Sequence, residues 1–304
     1  AMPLHLPALN RRQFLLTSGA GVALFSSRGM AADDQREVEG DLVYLLNDTH
    51  IGEKHPPDSA VPTHLRQAVT ELVERKMKPA AVLINGDLAL KDGQPGDYEH
   101  FGKLIVPLRT AGLDVHLTLG NHDDRDVFYR VLKYERPDAP PIESRHISVV
   151  ETRFANFFLL DSLHVTMVTP GTLGAEQLGW LAKALDEHAD KPAVIVTHHN
   201  PRLGGDPLHF PGGLTDSQPL WDVLEPRRHV KAYVHGHVHD RTLAQHQGIH
   251  IINTPATSYV ADKTKSTTGW TTAKLTPKGV KLTTHTTEST HAWNGQSTSL
   301  QWRS

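Results

Sequence analysis

Leu113-Asp114-Val115-His116-Leu117-Thr118-Leu119-Gly120-Asn121-His122-Asp123 is a largely apolar run that ends in a tetrapeptide of ligand-bearing side chains. The run predicts a β-strand, and Gly120 to Asp123 a turn at its carboxyl end before Arg125–Lys133 resumes as a helix. Alone, such a tetrapeptide carries little weight. Four other predicted strand ends offer the same residue types: Asp48-Thr49-His50, Gly86-Asp87, His198-His199 and His235-Gly236-His237-Val238-His239.

Outward from that stretch, strand and helix alternate. Leu42–Leu46, Ala80–Ile84, Ala193–Val196 and Val230–Val234 are short apolar runs. Between them, Thr63–Met77 carries Leu65, Val69, Leu72 and Val73 at helical spacing, and Tyr98–Leu108 and Glu176–Leu185 repeat the pattern. Continuous apolar strands separated by helices predict parallel crossovers and sheets covered on their faces. His146–Val150 and Ala155–Leu160 read as a neighbouring, antiparallel pair. Beyond Ile249 the chain turns threonine-rich, and Trp270–Leu275 and Gly279–Thr284 alternate as half-exposed antiparallel strands do. Residues 287–304 are polar and expected to be loose.

Residues 1–32 read as an export signal and 33–304 as one domain. Asn10-Arg11-Arg12-Gln13-Phe14-Leu15-Leu16 precedes a mildly apolar run from Thr17 to Phe25 that is too short to span a bilayer, and small residues follow at Gly29 to Ala32. The paired arginines resemble a bacterial twin-arginine signal, with Leu16 where lysine is usual, so a periplasmic or otherwise exported location is expected. No other stretch is apolar enough for a transmembrane helix.

Composition narrows the chemistry. The 304 residues hold no cysteine, which removes disulfides, thiolate metal sites and cysteine nucleophiles together. A net charge of −3 implies no broad basic surface, so no nucleic-acid polymer is expected as partner. Histidine, at 21, is abundant, and its clustering at strand ends is what matters. Gly204-Gly205 and Gly212-Gly213 lack the Lys-Ser/Thr ending of a P-loop, and no Gly-x-Ser-x-Gly elbow is present.

Open α/β sheets gather ligands at the carboxyl ends of their strands. Asp48, His50, Asp87, Asn121, His198 or His199, His237 and His239 supply enough nitrogen and oxygen donors there for two hard cations. In isolation Asp48 could cap a segment, Asn121 could make an Asx-turn, and His235 reads as structural. The ordered set Asp-x-His, Gly-Asp, Gly-Asn-His-Asp, strand-end His and Gly-His-x-His, over Leu42 to about Asp240, resembles the calcineurin-like metallophosphoesterase family.

The resemblance implies that Asp48, His50, Asp87 and His239 hold a first metal. It implies that Asp87 bridges, and that Asn121, the strand-end histidine and His237 complete a second. His198 lies closer to its strand and is favoured; His199 stays open because Asn200 stands before Pro201. His122 would contact a phosphoryl oxygen or protonate the leaving oxygen, with Asp123 orienting its ring. Mn, Fe, Zn or Co would suit the donors. Purple acid phosphatases place glycine where His50 stands and tyrosine where Leu90 stands, whereas the Asp-x-His form is similar to class III cyclic-nucleotide and glycerophosphodiester phosphodiesterases.

The fold expected is α/β, a four-layer α/β/β/α sandwich with two mixed sheets and the metal site at the carboxyl ends of the strands. The function expected is hydrolysis of a small phosphate ester by metal-activated hydroxide, phosphodiesters favoured. An exported phosphomonoesterase for phosphate scavenging and a catalytically weak metal-binding scaffold are the alternatives.

Overall fold

The computed structural model describes residues 36–56, 58–203 and 212–304. The expected signal segment and most of the glycine-rich stretch after Arg202 lie outside the described residues. The strands are Val38–Asn47 (β1), Lys78–Asn85 (β2), Val115–Thr118 (β3), Ser148–Glu151 (β4), Asn156–Leu159 (β5), Ala193–Val196 (β6), Val230–His235 (β7), Thr242–His246 (β8), Ile249–Asn253 (β9), Gly269–Thr276 (β10), Gly279–Thr286 (β11) and Ser297–Gln301 (β12). The α-helices are Ala60–Glu74 (α1), Pro95–Thr110 (α2), Arg125–Val131 (α3), Ala175–Glu187 (α4) and Ser217–Leu224 (α5). None of the described helices is long and apolar enough to cross a membrane.

Burial on both faces of β1 sets the layers. Leu42, Tyr44 and Leu46 join Leu65, Val69 and Leu72 of α1 and Phe101, Ile105 and Leu108 of α2 in one apolar cluster. Val43 and Leu45, on the alternate face, join Phe157, Leu159, Val194 and Val234 in a second, between the sheets. Phe158, Ile195 and Tyr233 turn the other way and meet Leu181 and Leu185 of α4 and Trp221 of α5 in a third. Three apolar seams separate four layers, α/β/β/α, as expected. Fully burying one such side chain is worth about 1.5–3 kcal/mol, which is why the apolar pattern was enough to order the layers.

One sheet runs β12-β11-β10-β1-β2-β3 and the other β4-β5-β6-β7-β9-β8. Parallel pairing joins β1 to β2, β2 to β3, β5 to β6, β6 to β7 and β7 to β9; the remaining pairs are antiparallel. Both sheets are therefore mixed. The ends of β1, β2 and β3 and those of β6 and β7 supply the motif loops.

Two expectations are corrected. The threonine-rich β10 is not half-exposed: it is an inner strand beside β1, and Trp270, Thr271, Thr272, Ala273 and Leu275 are all buried. Trp270 faces the helices, edge-on to Tyr44, while Ala273 and Leu275 enter the seam between the sheets. Small threonines fit a doubly covered strand as well as a solvated one. The end of the chain is not loose either. β12 pairs with β11, and Leu300 and Trp302 pack against the seam between the sheets. The Arg303 guanidinium donates to the carbonyls of Leu224, Glu225, Arg227, Val230 and Gln247. The short helix α5 and the hairpin β8–β9 were not anticipated.

Candidate metal centre

Each motif leaves a strand's carboxyl end: Asp48 and His50 after β1, Asp87 after β2, Asn121 to Asp123 after β3, His198 after β6, His237 and His239 after β7. The backbone turns sharply there. Asp48, His50, Asp87, His237 and His239 all have positive φ, between 46° and 68°; among the described non-glycine residues only Met167 and Gln247 share that trait. Left-handed backbone is costly for residues with a Cβ and persists where the surroundings enforce it, typically at functional sites.

The side chains converge into two groups that could each hold a cation: Asp48, His50, Asp87 and His239, and Asp87, His198 and His237. Within each group the donor atoms lie within 4.8 Å of one another, and Asp87 belongs to both. His50 Nε2 faces His239 Nε2 at 3.0 Å and lies 3.6 Å from Asp87 Oδ2. His239 Nε2 is 3.1 Å from Asp48 Oδ1, and His198 Nε2 is 3.2 Å from Asp87 Oδ2. Asn121 is buried, and its side-chain oxygen accepts no hydrogen bond among the described residues, so it too is ready for a cation.

Backbone carbonyls fix the tautomers. His50 donates Nδ1–H to Leu90 O at 3.3 Å and His198 donates Nδ1–H to Asn85 O at 3.2 Å. Each ring therefore turns its Nε2 toward the centre, the usual support of a metal-binding imidazole. The Asn85 side chain ties the layers beneath, donating to Thr197 O at 2.7 Å and accepting from Thr118 Oγ1 at 2.6 Å.

Electrostatics fit positive charge. Burial works to raise the Asp48 carboxyl, but His239 and His198 outweigh it and hold it far below the usual range. Asp87 is held low against burial in the same way, by His198 and His50. Burial works to lower His198, yet Asp87 and Asp48 carry it up to about 9. Burial and then His198 drive His237 down to about 3. A site that keeps a proton on a fully buried imidazole has negative charge to spare. Nitrogen and oxygen donors with no thiol suit a divalent first-row cation.

A family model described as calcineurin-like phosphoesterase matches residues 42–241, a span that contains every one of these donors. The chain belongs to the calcineurin-like phosphoesterases. It is a metal-dependent phosphoric ester hydrolase. It is 29% identical over 241 residues to a cAMP/cGMP dual specificity phosphodiesterase of Mycobacterium tuberculosis, covering 75% of this chain and 71% of that one. It is 27% identical over 221 residues to a glycerophosphodiester phosphodiesterase of Enterobacter lignolyticus, covering 71% and 77%. A dimetal phosphatase from Danio rerio shares the fold, with a TM-score of 0.65 at 16% identity over 86% of this chain and 99% of that one.

The geometry separates two histidines that the family motif leaves open here. Both nitrogens of His199 are engaged, Nδ1 with Ser162 Oγ at 2.8 Å and Nε2 with Thr169 O at 3.0 Å. It props the neighbouring loop, whereas His198 faces Asp87. His198→Asn is accordingly expected to lower metal content, measured by elemental analysis of the purified protein. His199→Gln is expected to keep its metal and lose about 1–3 kcal/mol of stability through the buried partners it strands.

Asp123 corrects another expectation. It does not orient the His122 ring. Its buried carboxylate accepts from the backbone N–H groups of Leu88, Ala89 and Gly120 and from the Tyr98 hydroxyl, and so staples the Gly120 turn to the Asp87 loop. His122 is instead held by Lys91, whose carbonyl accepts Nδ1–H at 2.6 Å, while the His122 backbone N–H donates to Asp87 Oδ1 at 2.9 Å. A backbone acceptor leaves no mark in a sequence. Tyr98, which also donates toward this staple, and Tyr259, edge-on to His50 and His239, were missed for lack of any motif.

Proposed function

We propose that this enzyme is a dinuclear-metal phosphodiesterase. The observation that carries the reading is the pair of donor groups sharing Asp87. In it Asp48, His50, Asp87 and His239 hold one metal ion, and Asp87, Asn121, His198 and His237 the other, with Mn, Fe, Zn and Co all compatible. Bound there, the ions would neutralise phosphoryl oxygens and acidify water near pH 7.

The chain's own side chains do the rest. His122, its Nδ1–H committed to Lys91, presents Nε2 to the substrate and exchanges a proton there with a phosphoryl or leaving oxygen. Asp123 keeps the turn that carries Asn121 and His122 closed against Leu88 and Ala89. Preference for diesters is supported by relatives whose names are cyclic-nucleotide and glycerophosphodiester phosphodiesterases.

The test compares bis(p-nitrophenyl) phosphate with p-nitrophenyl phosphate on protein loaded with Mn²⁺ and then stripped by a chelator. Diester turnover exceeding monoester turnover, and vanishing on stripping, is the expected result. Faster monoester turnover would make the protein a phosphomonoesterase. No turnover of either with any of the four metals would leave the scaffold reading.

A further inference from the structure

Beside the candidate centre lies a cavity of about 300 Å³, bounded by α1, by residues 258–268 leading into β10, and by Thr287 and Glu288 beyond β11. Tyr259 is its shared wall. The ring stands edge-on to His50 at 5.2 Å and to His239 at 5.4 Å, and the residue lines the cavity while remaining 40% exposed. Tyr259 thus joins the cavity to the donor histidines and puts an aromatic ring against which a flat group could pack. Val61 and Val260 add apolar surface.

The lining also carries hydrogen-bonding groups. Ser258 and His64 both line the cavity, with Thr267 and Thr268 beside them. His64 uses Nδ1 on Ser258 O and Thr268 Oγ1, both at 3.1 Å. The carbonyl requires Nδ1–H, which leaves Nε2 as a hydrogen-bond acceptor in the neutral ring, the form that burial favours by lowering this imidazole's pKa. A second cavity of similar size, beside Leu90 and Lys91, is walled by Glu53, Lys54, His55, Asp92 and Asp97 and holds no tyrosine, phenylalanine or tryptophan.

We propose that the Tyr259 cavity is the subsite for an ester group of the substrate, and that it selects a flat aromatic group lying against the Tyr259 ring. The inference rests on the phosphoesterase reading of the centre, but its test does not depend on turnover. Phenylphosphonate and methylphosphonate carry the same metal-seeking head and differ in the ring alone; neither is hydrolysed. Calorimetric titration of the Mn²⁺-loaded protein is expected to show phenylphosphonate binding roughly tenfold tighter. Tyr259→Ala should erase that ratio. Val61→Trp, which fills the cavity from α1 and lies outside both donor groups, should erase it as well, and metal content measured on both variants confirms that the centre is intact.

Equal affinities in the wild type, no binding of either phosphonate, or a preference that survives in both variants would overturn the subsite. A ring preference in a protein that fails to turn over diesters would instead overturn the phosphodiesterase reading and leave the subsite standing.

Discussion

Asp87→Asn is expected to lower kcat/KM for bis(p-nitrophenyl) phosphate by about a thousandfold and to strip metal from both donor groups. Asp87 is the one residue that the two groups share. Its Oδ1 accepts from the His122 backbone N–H at 2.9 Å, and its Oδ2 lies 3.2 Å from His198 Nε2 and 3.6 Å from His50 Nε2. Asparagine has nearly the same shape, so the His122 contact and the local packing survive. What goes is the anionic charge that keeps His198 protonated up to about 9, and a lone pair is replaced by N–H donors. Losing a bridging carboxylate costs several kcal/mol of transition-state charge stabilisation, and about 4 kcal/mol corresponds to a thousandfold.

The same substitution reads out on stability as well. Once stripped of metal, the wild type still pairs Asp87 with a buried, protonated His198 at 3.2 Å, and the variant takes that carboxylate away, so stripped Asp87→Asn should melt below stripped wild type. With metal present the gap should widen, because only the wild type gains the stability that tight binding confers. A variant that kept both metals and activity within tenfold of wild type would remove Asp87 from the bridging position and with it the dinuclear reading.

How much of this was legible beforehand depended on which atoms carry the information. The doubly covered strand β1 announces itself in Leu42 to Leu46 because burial on both faces demands apolar residues at every position. β10 meets the same demand with Thr271 and Thr272, side chains equally at home in water, so the pattern misled. The donor side chains were legible because a metal needs particular residue types. The carbonyls of Leu90, Asn85 and Lys91, which aim His50, His198 and His122, belong to the backbone and could stand on any residue. Nor does a sequence report that Asp48, Asp87 and His239 are held at positive φ. Asp123 was misplaced because adjacency in the chain suggested contact with His122, whereas the turn sends its carboxylate back toward Leu88 and Ala89.

Gly120→Ala is expected to cost on the order of a hundredfold in kcat/KM and about 1–3 kcal/mol of stability, although alanine is the smallest change available. A Cβ on residue 120 would sit 2.2 Å from Asp87 Oδ1, 2.6 Å from the Asp87 backbone nitrogen and 2.7 Å from His198 Cδ2. The side-chain oxygen could swing aside, but the backbone nitrogen cannot. Nor can the turn back away freely, because the Gly120 N–H is bound to Asp123 Oδ2 at 2.9 Å and its carbonyl to Asp123 N–H at 3.1 Å. The displacement therefore falls on Asp87 and His198, and an ångström there is enough to spoil a positioned site.

Gly179→Ala is the matched control. It lies inside α4 with nothing within 4 Å of its would-be Cβ, so it should stabilise by about 0.5–1 kcal/mol and leave activity alone. Equal behaviour of the two variants would refute the steric account. The same reasoning reaches the other motif glycines: a Cβ on Gly86 would meet the His198 ring at 2.5 Å, and one on Gly236 would meet Asp48 Oδ2 at 2.4 Å. Each glycine is the space into which a donor from another strand fits. The motifs interlock because close approach of five strand ends requires a missing side chain wherever a charged one has to pass.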